Sequence, residues 1–278
     1  MLVNLNKALE GIAEKKCAIP GFNVFGYEDA IAVVRAAEEL NAPVILMTNK
    51  VAVSHMPIEY LADLLCSIAD DAKVPVCVHL DHATECDLVS RAIKSGFTSV
   101  MYDGSQLPLR ENIRNTKEIV EFAHTCGVSV EAEIGSVGYN APDVQAKAVY
   151  TDPEEARIFA EETGVDALAV AVGTLHRMET QEAVIQFDRL EAIQKLVDIP
   201  LVIHGSTGIT DTDLQKLITY RVAKVNIGTA LRMAFGKALR EEMNKNPNEF
   251  DRIKLFKTPM LKVQEEAKKK MELLGLSL

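Results

Sequence analysis

Three histidines that are far apart in the chain, His82, His176 and His204, each lie at or just past the end of an apolar segment. These segments have the composition of buried β-strands and run over 74–80, 166–172 and 199–205. Barrels of alternating strands and helices carry their chemistry at the carboxyl ends of parallel strands, so we expect the three imidazoles to converge at one rim. Three protein ligands leave a zinc ion one open position for a substrate. The spacing therefore predicts a catalytic rather than a structural metal centre.

The other histidines fit structural roles. A single histidine at a strand end is more often a hydrogen-bonded structural residue than a metal ligand. Three histidines at corresponding strand ends favour a metal site. His79 lies inside the third strand as a packing or supporting residue, and His55 and His124 fall on helical segments. Asp81 is different, because neighbours in an extended segment point in different directions. It can face a substrate while His82 binds the metal.

Further polar residues collect at the ends of the predicted strands. They are Asp103 after the fourth strand, Glu133 on the fifth, Gly205, Ser206 and Thr207 after the seventh, and Asn226, Gly228 and Thr229 around the end of the eighth. Barrels commonly bind phosphate after strands seven and eight, through backbone N–H groups and a helix N-terminus. A tight turn with no ligand is the structural alternative for these short segments.

The elements that position these residues follow from the alternation of apolar runs with helical periodicity. The runs are 17–23, 43–48, 74–80, 97–102, 128–134, 166–172, 199–204 and 222–227. Such alternation indicates a parallel sheet with crossover helices, and nearly continuous apolar runs are typical of strands buried on both faces. Eight repeats favour an α/β fold of the (β/α)8 TIM-barrel type, as one domain over 1–278, rather than an open doubly wound sheet.

Helix boundaries are readable in several places. We predict helices over Glu28–Leu40 and from about Pro259 to Leu274, and helix starts at Asp152 and Thr210, where capping residues precede acidic first turns. The first sixteen residues read as one amphipathic helix rather than a signal peptide. The connection 135–150 is long for a compact domain, which favours a lid over a surface excursion.

Bulk composition excludes several classes of protein. The 278 residues carry a formal net charge of −10, which argues against a nucleic-acid partner. No apolar run approaches the roughly 18 residues that a membrane span requires. The five cysteines are odd in number and scattered without a CxxC pair, which suits a reducing cytoplasm.

These residues carry a resemblance that runs through nearly the whole chain. The sequence resembles the class II, metal-dependent ketose-bisphosphate aldolases, the family of fructose- and tagatose-bisphosphate aldolases. The matching segments are PGFNV (20–24), HLDHA (79–83), GFTSVMYDGS (96–105), GVSVEAEIG (127–135), YTDPEEA (150–156), TGVDALAVAVGT (163–174) and KVNIGT (224–229).

The resemblance implies a role for each matching position. His82, His176 and His204 would hold one zinc ion per subunit, and Asp81 would exchange a proton with the substrate's C4 hydroxyl. The remaining implied positions are Asp103 and Glu133 near the metal, Asn23 beside the bond that breaks, and Gly205, Ser206, Thr207, Asn226, Gly228 and Thr229 around the phosphate of dihydroxyacetone phosphate. It also implies a homodimer or homotetramer and a small phosphorylated sugar as substrate, and it leaves room for a monovalent cation.

The chain departs from the family at the rim of the site. Arg177 replaces a glycine after the second zinc histidine, and Ser206 replaces the second glycine after the third. Ala141 stands where the mobile loop usually carries a catalytic glutamate, and Asp143 is the candidate substitute. Asn49-Lys50 follow the second strand, where the family has small residues. We therefore expect a substrate other than fructose 1,6-bisphosphate, with Arg177 either contacting a phosphate or carboxylate or pointing to solvent.

Two other functions remain compatible with the same residues. One is a different metal-dependent lyase or epimerase that forms an enediolate, and the other is a non-catalytic metabolite-binding barrel. Asp81 beside the three histidines favours catalysis, because a protein that only binds a metabolite has no need of an acid/base.

Overall fold

A computed structural model describes residues 1–139 and 148–276. Within these ranges eight parallel strands close into a barrel. They are β1 (Ile19–Asn23), β2 (Val44–Thr48), β3 (Val76–Ala83), β4 (Ser99–Tyr102), β5 (Ser129–Ile134), β6 (Ala167–Val170), β7 (Leu201–Ile203) and β8 (Val222–Ile227). Each strand pairs with the next in chain order, and β8 pairs with β1. The predicted (β/α)8 TIM barrel is confirmed, and each strand lies at one of the predicted apolar runs.

Helices follow the strands and cover the outside of the barrel. They are α1 (Tyr27–Glu39), α2 (Ile58–Asp71), α3 (Cys86–Ser95), α4 (Leu109–Thr125), α5 (Pro153–Thr163), α6 (Phe187–Leu196), α7 (Asp211–Leu217), α8 (Thr229–Lys245) and α9 (Arg252–Leu273), with a further short helix over Lys50–His55. The predicted starts are confirmed at Asp152, whose side chain accepts from the Glu154 and Glu155 N–H groups, and at Thr210, which accepts from the Asp213 N–H.

The last helix begins earlier than the sequence suggested. We predicted a start near Pro259, because proline disfavours the interior of a helix, but α9 begins at Arg252 and Pro259 lies inside it. Asp251 caps its start by accepting from the Ile253 N–H. The helix packs along α1, where Lys268 pairs with Glu39 at 2.8 Å. This additional helix therefore covers the side of the barrel at which the first helix lies.

The prediction of one N-terminal amphipathic helix is wrong. A short strand (Leu2–Val3) pairs with β3, and a helix (Leu5–Leu9) and a 3-10 turn (Ala13–Lys15) follow. Leu5 is fully buried, because this segment packs against the lower end of the barrel interior. The Val76 N–H donates to the Met1 carbonyl, and this pairing holds the first residues as a strand instead of a helix.

The barrel interior is divided along its axis. Its lower part is apolar and contains Ile19, Ile45, Met47, Cys77 and Val202. Its upper part, toward the carboxyl ends of the strands, holds buried polar side chains. They are His79, Asp81, Glu131, Glu133, His204, Lys224 and Asn226. Polar groups are therefore concentrated at the end of the barrel where such folds carry their sites. Among the described residues, the helices are too short or too polar to cross a membrane.

Candidate functional site

The three predicted histidines come together at the carboxyl end of the barrel. The ring centroid of His82 lies 4.7 Å from that of His176 and 4.6 Å from that of His204. One nitrogen from each ring lies within 4.8 Å of the others. Imidazoles at this separation can bind one metal ion, and three nitrogen ligands suit zinc. The structure thus brings together the residues that the sequence analysis selected.

A β-bulge brings Asp81 and His82 to the same site. Leu80 pairs with Val100 and Ala83 with Tyr102, so β3 has one more residue than β4 between these pairs. His82 adopts a left-handed conformation with φ 51°, which is uncommon for residues other than glycine. Bulges of this kind re-aim side chains and recur beside active sites. The bulge allows two consecutive side chains to line one pocket.

His176 is positioned by a second, smaller sheet. The strand Leu175–His176 pairs in parallel with Gly138–Tyr139, which follows β5. The long connection after β5 is closed at its base by an antiparallel bridge between Ser136 and Val149. His176 is therefore supported from outside the barrel, whereas His204 directly follows β7.

The surroundings of His82 favour a positive charge. Its Nδ1 lies 2.7 Å from Asp103 Oδ2, and its Nε2 is buried without a hydrogen-bond partner in the described part of the chain. Burial opposes protonation of this ring, but the charges of Asp81 and Asp103 outweigh it and raise the pKa of His82 to about 10. A buried nitrogen with no partner, surrounded by carboxylates, is suited to a cation.

His204 lies between two buried glutamates. Its Nε2 is 2.9 Å from Glu131 Oε1, and its Nδ1 is 2.9 Å from Glu133 Oε2. One contact must open for His204 to bind a metal. Glu133 also forms a second possible metal-binding group with His82 and Asp103. Burial and the neighbouring imidazoles lower the pKa of His176 well below its usual value, so that ring is neutral, as a metal ligand requires.

Asp81 is buried and held by two amides. Asn23 Nδ2 donates to its Oδ2 and Asn226 Nδ2 donates to its Oδ1, both at 3.1 Å. The residue is 2% exposed and lines a pocket of about 430 Å³, which His82 and His176 also line. The Oδ1 atom of Asn23 is buried without a partner in the described residues. A carboxylate fixed in this way beside three imidazoles can exchange a proton with a ligand in the pocket.

The loops after β7 and β8 form another wall of this pocket. Gly205, Ser206, Thr207, Asn226, Gly228 and Thr229 all line it. The Ser206 hydroxyl donates to the Asn226 backbone oxygen, which joins the two loops. Gly205 has φ 66°, and a Cβ there would lie 2.6 Å from the Leu175 backbone oxygen. The glycine thus permits the close approach of the strand that carries His176.

Two arginines also line this pocket. Arg177 lines it and adopts a left-handed backbone with φ 60°. Arg232, in the first turns of α8, lines it as well, with its guanidinium carbon 5.7 Å from the centre of the Phe25 ring. Partial burial, and then the positive charge of Arg177, lower the pKa of Arg232. Two positive charges that line one pocket attract an anion to it.

Sequence reasoning missed the roles of Glu131, Lys224 and Arg232. Lys224 Nζ donates to Glu131 Oε2 at 2.8 Å, and both side chains are fully buried. Burial opposes the charge on Glu131, but Lys224 outweighs it and holds the pKa of that carboxyl below its usual range. The available signal was spacing: polar residues two positions apart in an apolar strand, as in Glu131 and Glu133, point to the same face. Ala141 and Asp143 lie outside the described residues.

Comparison with known proteins agrees with this geometry. Residues 3–277 match the model of the family "Fructose-bisphosphate aldolase class-II". The YdjI aldolase from Escherichia coli K12 superimposes with a TM-score of 0.88 at 34% identity, over 99% of this chain and 98% of that one. A putative fructose-1,6-biphosphate aldolase from Coccidioides immitis has a TM-score of 0.89 at 28% identity, over 99% and 96%.

A fructose-bisphosphate aldolase from Campylobacter jejuni shares the fold, with a TM-score of 0.86 at 23% identity over 99% of this chain and 96% of that one. The chain belongs to the class II fructose-bisphosphate aldolase family. Family membership indicates an aldolase, an enzyme of the lyase class that breaks and forms carbon–carbon bonds.

Proposed function

We propose that this protein catalyses metal-dependent aldol cleavage and condensation of a phosphorylated ketose, with dihydroxyacetone phosphate and an aldehyde as the cleavage products. The observation that carries the proposal is Asp81, a buried carboxylate held by two amides beside three converging imidazoles. A metal site that only stabilises the fold does not require such a group.

The residues at the rim fit a zinc ion. His82, His176 and His204 would hold it, and the buried Nε2 of His82 supports this assignment. Carboxylates that contact the other ring nitrogens, such as Asp103 on His82, are typical supports of metal-binding histidines. When bound, zinc supplies Lewis-acid stabilisation of the negative charge that an enediolate carries.

Asp81 would act as the acid/base for the C4 hydroxyl. In cleavage it accepts the hydroxyl proton as the C3–C4 bond breaks, and in condensation it returns that proton. Its hydrogen bonds to Asn23 and Asn226 orient the carboxylate, so little rearrangement is needed at the moment of reaction. The buried Oδ1 of Asn23, which has no partner among the described residues, is suited to accept a hydrogen bond from a substrate hydroxyl.

Arg177 and Arg232 would bind the phosphate together with the loops after β7 and β8. The glycine positions lost from the family pattern are replaced by charged and hydroxyl groups, so the anion would be held by side chains as well as backbone. A guanidinium makes paired hydrogen bonds to phosphate oxygens. This different cradle supports a preference for a ketose phosphate other than fructose 1,6-bisphosphate. Asp143 remains the proposed acid that protonates the enediolate carbon.

Zinc analysis and a cleavage assay on a panel of ketose phosphates test the proposal. We expect about one zinc per chain, loss of cleavage after treatment with a chelator, and recovery when zinc is added back. Because the rim differs from the family pattern, we expect kcat/KM to differ across the panel. Another ketose phosphate should have a higher kcat/KM than fructose 1,6-bisphosphate. The proposal is overturned if the purified protein binds no zinc and shows no chelator-sensitive cleavage of any ketose phosphate in the panel.

A further inference from the structure

A buried chain of hydrogen bonds joins the third histidine to the acid/base. His204 Nε2 lies 2.9 Å from Glu131 Oε1, and the other oxygen of Glu131 accepts from Lys224 Nζ at 2.8 Å. Lys224 Nζ also donates to Asn226 Oδ1 at 2.6 Å, and Asn226 Nδ2 donates to Asp81 Oδ1 at 3.1 Å. His204 and Asp81 are thus connected through three intermediate side chains.

Lys224 determines which way the Asn226 amide faces. A lysine ammonium has donors and no acceptor, so the atom beside it must be the carbonyl oxygen of the amide. The NH₂ group then faces Asp81, whose carboxylate can only accept when ionised. Without the ammonium, the amide loses the contact that fixes its carbonyl end and is free to rotate away from the carboxylate.

The same ammonium acts on the metal side through Glu131. The carboxylate of Glu131 accepts a hydrogen bond from His204 Nε2 and so holds a proton on that nitrogen. Once the contact between Nδ1 and Glu133 opens, Nδ1 presents its lone pair to a metal. A buried carboxylate retains its charge only when a partner compensates it. Lys224 is fully buried and its Nζ lies 2.8 Å from Glu131 Oε2, so it is the compensating charge.

We propose that Lys224 is a positioning residue that holds the acid/base Asp81 through Asn226 and the ligand nitrogen of His204 through Glu131. This inference rests on the proposed aldolase function. It goes beyond that function because Lys224 lies below the pocket and is absent from its lining. A purely structural ion pair is the competing explanation, and buried pairs often add little net stability.

The test is Lys224→Met, which keeps the shape of the stem and removes the ammonium. We expect kcat to fall by roughly 10- to 100-fold with little change in KM, and zinc affinity to weaken by a similar factor, the usual range for groups that support metal ligands. Lys270→Met is the matched control, since Lys270 is also buried, on α9, with its Nζ 3.8 Å from Asp211. Its kcat and zinc affinity should remain parental.

A second variant, Lys224→Met with Glu131→Gln, separates the two effects and guards against misfolding. It leaves no uncompensated buried charge, and the Gln oxygen can still accept from His204. We expect parental thermal stability and near-parental zinc affinity, with kcat still reduced because the Asn226 amide remains unheld.

Chelator competition measures zinc affinity and so tests the effect of Lys224 on His204 without any cleavage assay. If the parental chain cleaves none of the substrates, only the proposed function is overturned, and this measurement still tests the positioning role. The positioning role is overturned if folded Lys224→Met matches Lys270→Met in kcat and zinc affinity. The positioning role is also overturned if saturating zinc restores the parental kcat to Lys224→Met. In that case Lys224 would have no effect on Asp81 through Asn226.

Discussion

His82 Nδ1 lies 2.7 Å from Asp103 Oδ2, and the second oxygen of that carboxylate accepts from both the backbone and the side chain of Ser105. A metal ligand must be a neutral imidazole. An ionised carboxylate only accepts hydrogen bonds, so in that neutral form the proton of His82 lies on Nδ1. The Nε2 lone pair is then directed to the site. Burial disfavours the charge of Asp103, but its bonds with His82 and Ser105 hold its pKa well below the usual range.

Asp103→Asn should therefore weaken zinc binding. An asparagine can turn its NH₂ toward Nδ1 and favour the wrong tautomer, so we expect a loss of roughly 10- to 100-fold in zinc affinity. Chelator competition measures this change. Asp198→Asn is the control, since Asp198 contacts Arg221 on the far surface. Equal zinc affinity in the two variants would show that Asp103 does not orient His82.

Asp81→Ala and His204→Ala should separate metal binding from bond cleavage. The first variant should retain zinc and lose cleavage by at least about 10²-fold, the lower range for loss of a positioned acid/base. The second should lose both zinc and cleavage. Metal content and initial rates are the two measurements, and cleavage at the parental rate by Asp81→Ala contradicts the role assigned to that carboxylate.

Arg177→Gly and Arg232→Gln should raise KM for the phosphorylated ketose. Loss of a charge-assisted hydrogen bond of about 1.5–3 kcal/mol corresponds to roughly a 10- to 100-fold increase. Arg177→Gly should keep or raise the melting temperature, because glycine adopts φ 60° without strain. Arg240→Gln, on the same helix but outside the pocket lining, should leave KM unchanged. An unchanged KM in both pocket variants would remove the arginines from the phosphate site.

Gly205→Ala should displace the strand that carries His176. Alanine at φ 66° costs about 1–2 kcal/mol in backbone strain, and its Cβ would also collide with the Leu175 backbone oxygen. Gly164→Ala is the matched control, with φ 70° and open space around the position. Gly205→Ala should destabilise the fold more and also weaken zinc binding. This role for Gly205 is contradicted if denaturant unfolding gives the same loss of stability for Gly205→Ala and Gly164→Ala and if Gly205→Ala retains its zinc affinity.

The sequence alone was enough to predict the barrel and the rim on which the site lies. Apolar runs such as 222–227 and the helices between them are local patterns, and eight repeats of that alternation leave few other folds. His82 lies at the carboxyl end of β3 and His204 directly follows β7, so their convergence also follows from the parallel arrangement. The N-terminal segment could not be predicted in this way, because pairing with β3 overrides its helical periodicity.

Only the tertiary structure decided how the site is held together. Glu131 and Lys224 are separated by 93 positions, and they meet only because β5 and β8 face each other across a closed barrel. The bulge that aims both Asp81 and His82 into the pocket depends on the register between β3 and β4. The pattern along one strand does not locate a bulge in it or identify the residue that lies opposite on another strand. These contacts therefore lay beyond what the sequence could determine.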